Sequence, residues 1–136
     1  MPARFLDANL LLRYFTRDDE DKAERVLALL QRVERGEEKL VTSSMVIFET
    51  IFTLQRYYRV PRDRIRELME DLISLRGLQL SNKVLYYRSL ELYANNNISF
   101  ADAFNAAYVL SLHLSEVYSY DTDFDHLPGL QRMEPE

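Results

Sequence analysis

Apolar residues along this chain occur in two spacings. Short runs at 3–6 (ARFL), 39–43 (KLVTS), 78–80 (LQL) and 117–120 (VYSY) have the length of strands, and the first reads as a buried one. Longer stretches carry a helical repeat. ANLLLRYF (8–15) is the first of these. In residues 18–38, Ala23, Val26, Leu27, Leu30 and Val33 recur at helical spacing, with acids leading and Gly36 following. Residues 44–58 (SMVIFETIFTLQRYY) form a strongly apolar helix that Ser44 is able to cap. Pro61 fits the first turn of the next helix, whose inward positions are Ile65, Leu68, Met69, Leu72 and Ile73 and which Gly77 ends. Further helices are expected over 82–94, broken by the asparagines at 95–97, and over 99–114. DTDFDHLPG reads as a turn and LQRMEP as an edge strand.

Short strands alternating with helices predict an α/β fold: a three-layer α/β/α sandwich around a short, mainly parallel central sheet. A length of 136 residues, with no repeat, linker or low-complexity tract, suits a single domain over 1–136. No apolar run approaches the roughly 20 residues of a membrane span, and the first residues lack a signal-peptide pattern. The absence of cysteine removes disulfides, thiolate zinc sites and cysteine nucleophiles, and a cytoplasmic location is the economical reading. A net charge of −5 argues against a protein that coats nucleic acid through bulk attraction. Against that sum, Arg56, Arg59, Arg62, Arg64 and Arg66 lie close together between 55 and 67, where a solvated helix face is the plain reading.

Four carboxylates fit the apolar pattern poorly. Asp7 stands between Leu6 and the run Leu10–Leu12, where an unpaired buried charge would cost several kcal/mol. Glu49 is flanked by Met45, Phe48 and Phe52. Asp102 opens the helix SFADAFNAAY, and Asp121 follows the strand VYSY. Ordinary roles exist for three of them. Asp7 could cap the following helix, Ser99 and Asp102 match a capping box, and Asp121 could cap a turn. Glu49 has the weakest such explanation. In open parallel sheets, ligands bind at the carboxyl ends of strands, where all four could meet. Clustered carboxylates raise one another's pKa unless a cation compensates them. An all-oxygen set suits Mg²⁺ or Mn²⁺, which activate water and hold a phosphodiester for in-line attack.

The pieces FLDANLLLRYF, SSMVIFETIFTL, SFADAFNAAYVL and VYSYDTDFDHLPGLQRMEP together resemble a PIN-domain ribonuclease of the VapC toxin type. The shared features are an early Asp-x-Asn, a helix Glu, an Ala-Asp-Ala helix start and a late Ser-x-Asp-x-x-Phe. The resemblance implies Mg²⁺- or Mn²⁺-dependent cleavage of RNA, with Asp7, Glu49, Asp102 and Asp121 as the metal-holding quartet. It implies that Asn9 and Ser119 support the first and last acids, that Asp123 or Asp125 adds support from outside that set, and that Phe124 and Leu127 anchor the loop. It also implies a homodimer and a cognate antitoxin, for which the apolar surface of 44–58 with Tyr57 and Tyr58 is available. Under it the arginine run gains weight as a contact for RNA backbone or antitoxin. His113 and His126 have no catalytic part. The alternative is a non-catalytic PIN-fold module that binds RNA or protein. Phosphatases of the haloacid-dehalogenase type fit less well, because Asn9 stands where their second Asp would be. No glycine-rich phosphate loop is present.

Overall fold

In the computed structural model, which describes residues 1–136, strands β1 (Arg4–Phe5), β2 (Leu40–Val41) and β3 (Leu78–Gln79) pair in parallel in the order β1-β2-β3. Two helices separate each neighbouring pair. Helices α1 (Ala8–Thr16) and α2 (Glu20–Glu34) lie between β1 and β2, and α3 (Ser44–Arg56) and α4 (Arg62–Ile73) between β2 and β3. These elements form one compact unit, residues 1–81. A second unit, residues 82–136, holds α5 (Lys83–Asn95), α6 (Phe100–Ser111), β4 (Glu116–Tyr118), a 3₁₀ turn (Thr122–His126) and β5 (Gln131–Met133), with β4 and β5 paired in parallel. The α/β class read from the sequence stands. No helix is long and apolar enough to cross a membrane.

In the first unit the ladder is short, so apolar packing carries most of the stability. Leu6, Leu11, Val33, Ile47, Ile51, Leu54, Ile65, Met69, Ile73 and Leu78 are almost wholly buried. β1 departs from the expected buried strand: Arg4 and Phe5 are exposed, Phe5 by 59%. The strand stands at the edge of the sheet, so only Leu6, beyond its end, is drawn into the core. Leu6 N–H donates to the Val41 carbonyl at 2.8 Å, and the buried Thr42 hydroxyl donates to the Leu6 carbonyl at 2.9 Å. Those two bonds fix the backbone immediately before Asp7. The cap of α3 is Ser43, whose Oγ accepts the Val46 N–H, and not the adjacent Ser44.

In the second unit α5 and α6 pack through rings and small residues. Tyr93 and Phe100 meet edge to face at 5.8 Å, Tyr86 and Phe104 lie 5.4 Å apart, and Ala103, Ala106 and Ala107 are buried. Helix α6 ends at Ser111, three residues short of the expected 114. His113 takes φ 59° there, a left-handed conformation that stops a helix.

Gly77, which leads into β3, has a steric role. A Cβ there would stand 2.6 Å from the Val33 carbonyl oxygen and 2.9 Å from that of Glu38, both backbone atoms that cannot swing aside. Gly77→Ala is therefore expected to destabilise the chain by about 1–3 kcal/mol, read as a lower urea midpoint with unchanged slope.

Candidate metal centre

Three carboxylates meet in the second unit. Ser99 caps α6, its Oγ accepting the Asp102 N–H at 3.1 Å. Asp102 thus enters the first turn, where the helix dipole favours a negative charge. On the other side, β4 ends at Tyr118 and the chain turns. Asp121 N–H donates to Ser119 Oγ at 3.0 Å, and Asp121 Oδ1 accepts the Asp123 N–H at 2.9 Å, which starts the 3₁₀ turn. Phe124 and Leu127, both buried, root that turn. Carboxylate oxygens of Asp102, Asp121 and Asp123 consequently lie within 4.8 Å of one another.

Such crowding has an electrostatic cost. Partial burial pushes the Asp102 carboxyl above the usual carboxylate range, and the charge of Asp121, its hydrogen bond and the charge of Asp123 push the same way, while a Ser99 hydrogen bond opposes them. A divalent cation removes that penalty. Its oxygen ligands, at about 2.0–2.6 Å from the ion, lie within roughly 4–5 Å of one another, so the spread and the all-oxygen donor set both fit a hard cation.

Asp125 is not part of this cluster. Arg132 Nε donates to Asp125 Oδ1 at 3.0 Å, while Arg132 Nη1 donates to the Ser119 carbonyl at 3.0 Å and to Glu134 at 2.5 Å. The Arg132 guanidinium, raised further above its usual range by Glu134 and Asp125, holds Asp125 to β5 and ties down the segment that carries Ser119.

The acids of the first unit sit differently. Asp7 follows β1 and occupies the N-cap position of α1 in an extended conformation, yet its side chain makes no capping hydrogen bond. Its carboxylate is also exposed, which corrects the expectation of a charge inside an apolar run. The run divides in space: Leu6, Ala8 and Leu11 turn inward, while Phe5, Asp7 and Leu10 face out. Glu49 is exposed as well. Its neighbours one turn away on α3, Met45 at 72% and Phe52 at 61% exposure, are themselves in solvent, so the apolar flanks do not shelter it.

Asn9 lines a cleft of about 450 Å³ within the first unit, together with Arg13, Lys22, Arg25 and Arg32. Each of those cations faces an acid: Arg13–Asp18 at 2.7 Å, Lys22–Asp19 at 4.0 Å, Arg25–Asp21, and Arg32–Glu38 at 3.9 Å. The arginine run is partly paired too, Arg64 with Glu67 at 3.0 Å and Arg66 with Glu70 at 2.5 Å along α4. His113 and His126 are exposed.

Sequence reasoning placed Asp123 in a supporting position, but its carboxylate lies in the cluster itself. The available signal was the Asp-x-Asp spacing of DTD, which a tight turn converts into neighbouring side chains. Sequence reasoning also missed a cleft of about 410 Å³ in the second unit, lined by Asp102 and Asp121 together with Asn105, Tyr108, Tyr118 and Phe124.

A family model describing the PIN domain matches residues 4–130. A VapC ribonuclease of Aquifex aeolicus (strain VF5) is 24% identical to the chain over 132 residues, which covers 97% of this chain and 96% of that protein.

Asp121→Asn keeps an oxygen to cap the turn and removes one of three crowded charges. In chelator at neutral pH it is expected to melt a few degrees above the wild type. The sign of the pH dependence follows from Asp102. Its folded-state pKa lies above its unfolded one, so its burial and, next, its acidic neighbours penalise folding above that pKa, and protonation relieves the penalty below it. The advantage of the variant should therefore be full at neutral pH. It should shrink as pH falls through the raised Asp102 value toward the ordinary one near 4, read by thermal melts across that range.

Proposed function

We propose that this chain, which belongs to the PIN domain family, is a metal-dependent ribonuclease and the toxin of a toxin–antitoxin pair. The observation that carries the reading is the meeting of Asp102, Asp121 and Asp123 within 4.8 Å, in the two motifs ADAF and SYDTDF. The near full-length similarity to a VapC ribonuclease supports RNA as substrate and an antitoxin as partner. The family match runs across both compact units, which supports treating 1–136 as a single domain.

In this reading Asp102, Asp121 and Asp123 hold Mg²⁺ or Mn²⁺. Asp7 and Glu49 enter from their motifs, as further ligands or as residues that orient the attacking water. Two observations support a free role for them: both are exposed, and Asp7 makes no side-chain capping bond although it stands at a helix cap. Ser119 and Ser99 hold the backbone of the acid turn and of the helix start in place. Asn9 is carried as the support of Asp7. A bound cation would activate water and offset charge developing on the phosphate oxygens. The exposed apolar residues of α3 and its end, Met45, Phe52, Tyr57 and Tyr58, support a protein partner on that face, either a second copy or the antitoxin. The reading puts the chain in the cytoplasm with its RNA substrate.

Adding Mg²⁺ or Mn²⁺ at about ten times its dissociation constant should stabilise the wild type by about 1.4 kcal/mol, a melting shift of a few degrees. Asp102→Asn should lose that shift, and its metal-dependent RNA cleavage should fall about a hundredfold or more. Asp7→Asn and Glu49→Gln, assayed the same way, test the two motif-derived acids. Cleavage that survives Asp102→Asn would refute the reading.

A further inference from the structure

The cleft beside the acidic cluster has a wall that metal binding does not use. Its volume is about 410 Å³, within the range of pockets that enclose small ligands. The acids line one part. Tyr108 on α6 and Tyr118 at the end of β4 line another, with 49% and 72% of their surfaces open to solvent. Asn105, one turn along α6 from Asp102, adds a side-chain amide with both donors and an acceptor. Val109, Val117 and Phe124 add apolar surface to the lining.

An exposed ring is costly to keep in water, and two rings and an amide around one cavity make a surface suited to a flat heteroaromatic ligand. Nucleobases stack on tyrosine whatever their identity, and each stacked base contributes about 1–3 kcal/mol. A phosphodiester held at the acids would have its neighbouring base within one nucleotide of the rings. The charge balance of the chain points the same way. With a net charge of −5, and with the cations of the first-unit cleft facing acids, contacts to the bases gain weight in RNA binding beside any made by the arginine run.

We infer that this cleft is a base-binding pocket. Tyr118 and Tyr108 stack an unpaired nucleobase next to the scissile phosphate, and Asn105 hydrogen-bonds its edge. The inference rests on the ribonuclease reading and requires the nucleotide seated in the cleft to be unpaired, because a base within a duplex is already stacked and paired.

The test uses fluorescein-labelled single-stranded RNA octamers of mixed sequence. They are titrated by anisotropy in Mg²⁺ against the Asp121→Asn chain, in which cleavage is suppressed. Adding Tyr118→Leu or Tyr108→Leu should weaken binding roughly tenfold. Tyr118→Trp should restore it. Because the chain has no tryptophan, emission from the introduced indole should be quenched on RNA addition. A duplex of equal length should bind more weakly than the single strand, and the log–log dependence of affinity on salt should be shallow. Leucine preserves bulk, and a melt of each variant confirms that it is folded. Unchanged affinity in Tyr118→Leu, or an unquenched Tyr118→Trp, overturns the pocket. Wild-type cleavage is scored separately. Cleavage with an unaltered KM in Tyr118→Leu would sink the pocket and leave the nuclease standing. Quenching in Tyr118→Trp without metal-dependent cleavage by the wild type would do the reverse.

Discussion

Three like charges held within 4.8 Å form an arrangement that a chain assembles only against resistance, and the second unit is organised around that resistance. The Ser99 cap fixes where Asp102 emerges, the Ser119 hydroxyl fixes the backbone of Asp121, and the 3₁₀ turn brings Asp123 beside it. The force that keeps them there is apolar: the buried Phe124 and Leu127 at the turn, and Tyr93 of α5 against Phe100 of α6. Burial of those side chains, each favourable by about 1.5–3 kcal/mol, offsets a repulsion that water and ions partly screen. The Asp102 carboxyl stays raised, first through its partial burial and then through the charges of Asp121 and Asp123.

The same side chains explain how far a sequence could be read. Strands, helices and the acids of ADAF and SYDTDF follow local rules of period, capping and turn composition, so they were legible. What failed depended on direction in space. Asp7 and Glu49 lie among apolar letters, but a helix or strand sends neighbouring letters to opposite sides, and both acids face water. Ser44 was the expected cap of α3, but the backbone leaving β2 puts its neighbour Ser43 in that place. Asp123 and Asp125 look alike in DTDFD. Arg132, seven residues beyond Asp125, takes it from the cluster, and no local pattern announces that pairing.

The two units reach order by different means. In the first, parallel strands of two residues supply few ladder bonds, and the helices between them supply the buried surface. The sheet works mainly as a register. It sets where each chain segment leaves the core, as the Thr42 hydroxyl does for the residue before Asp7. In the second, a strand pair only three residues long is reinforced by side-chain bonds, with Arg132 reaching a carbonyl and two carboxylates.

That reinforcement also sets an order in time. Ser119, which positions Asp121, donates its N–H to the Met133 carbonyl and accepts from Arg132 through its own carbonyl. The acid turn is therefore finished by residues that leave the ribosome after it, and a nascent chain stopped short of Met133 carries its aspartates without the strand that holds them. Because domains fold as their chain emerges, the brace on the residue that positions Asp121 is the last part of the second unit to be added.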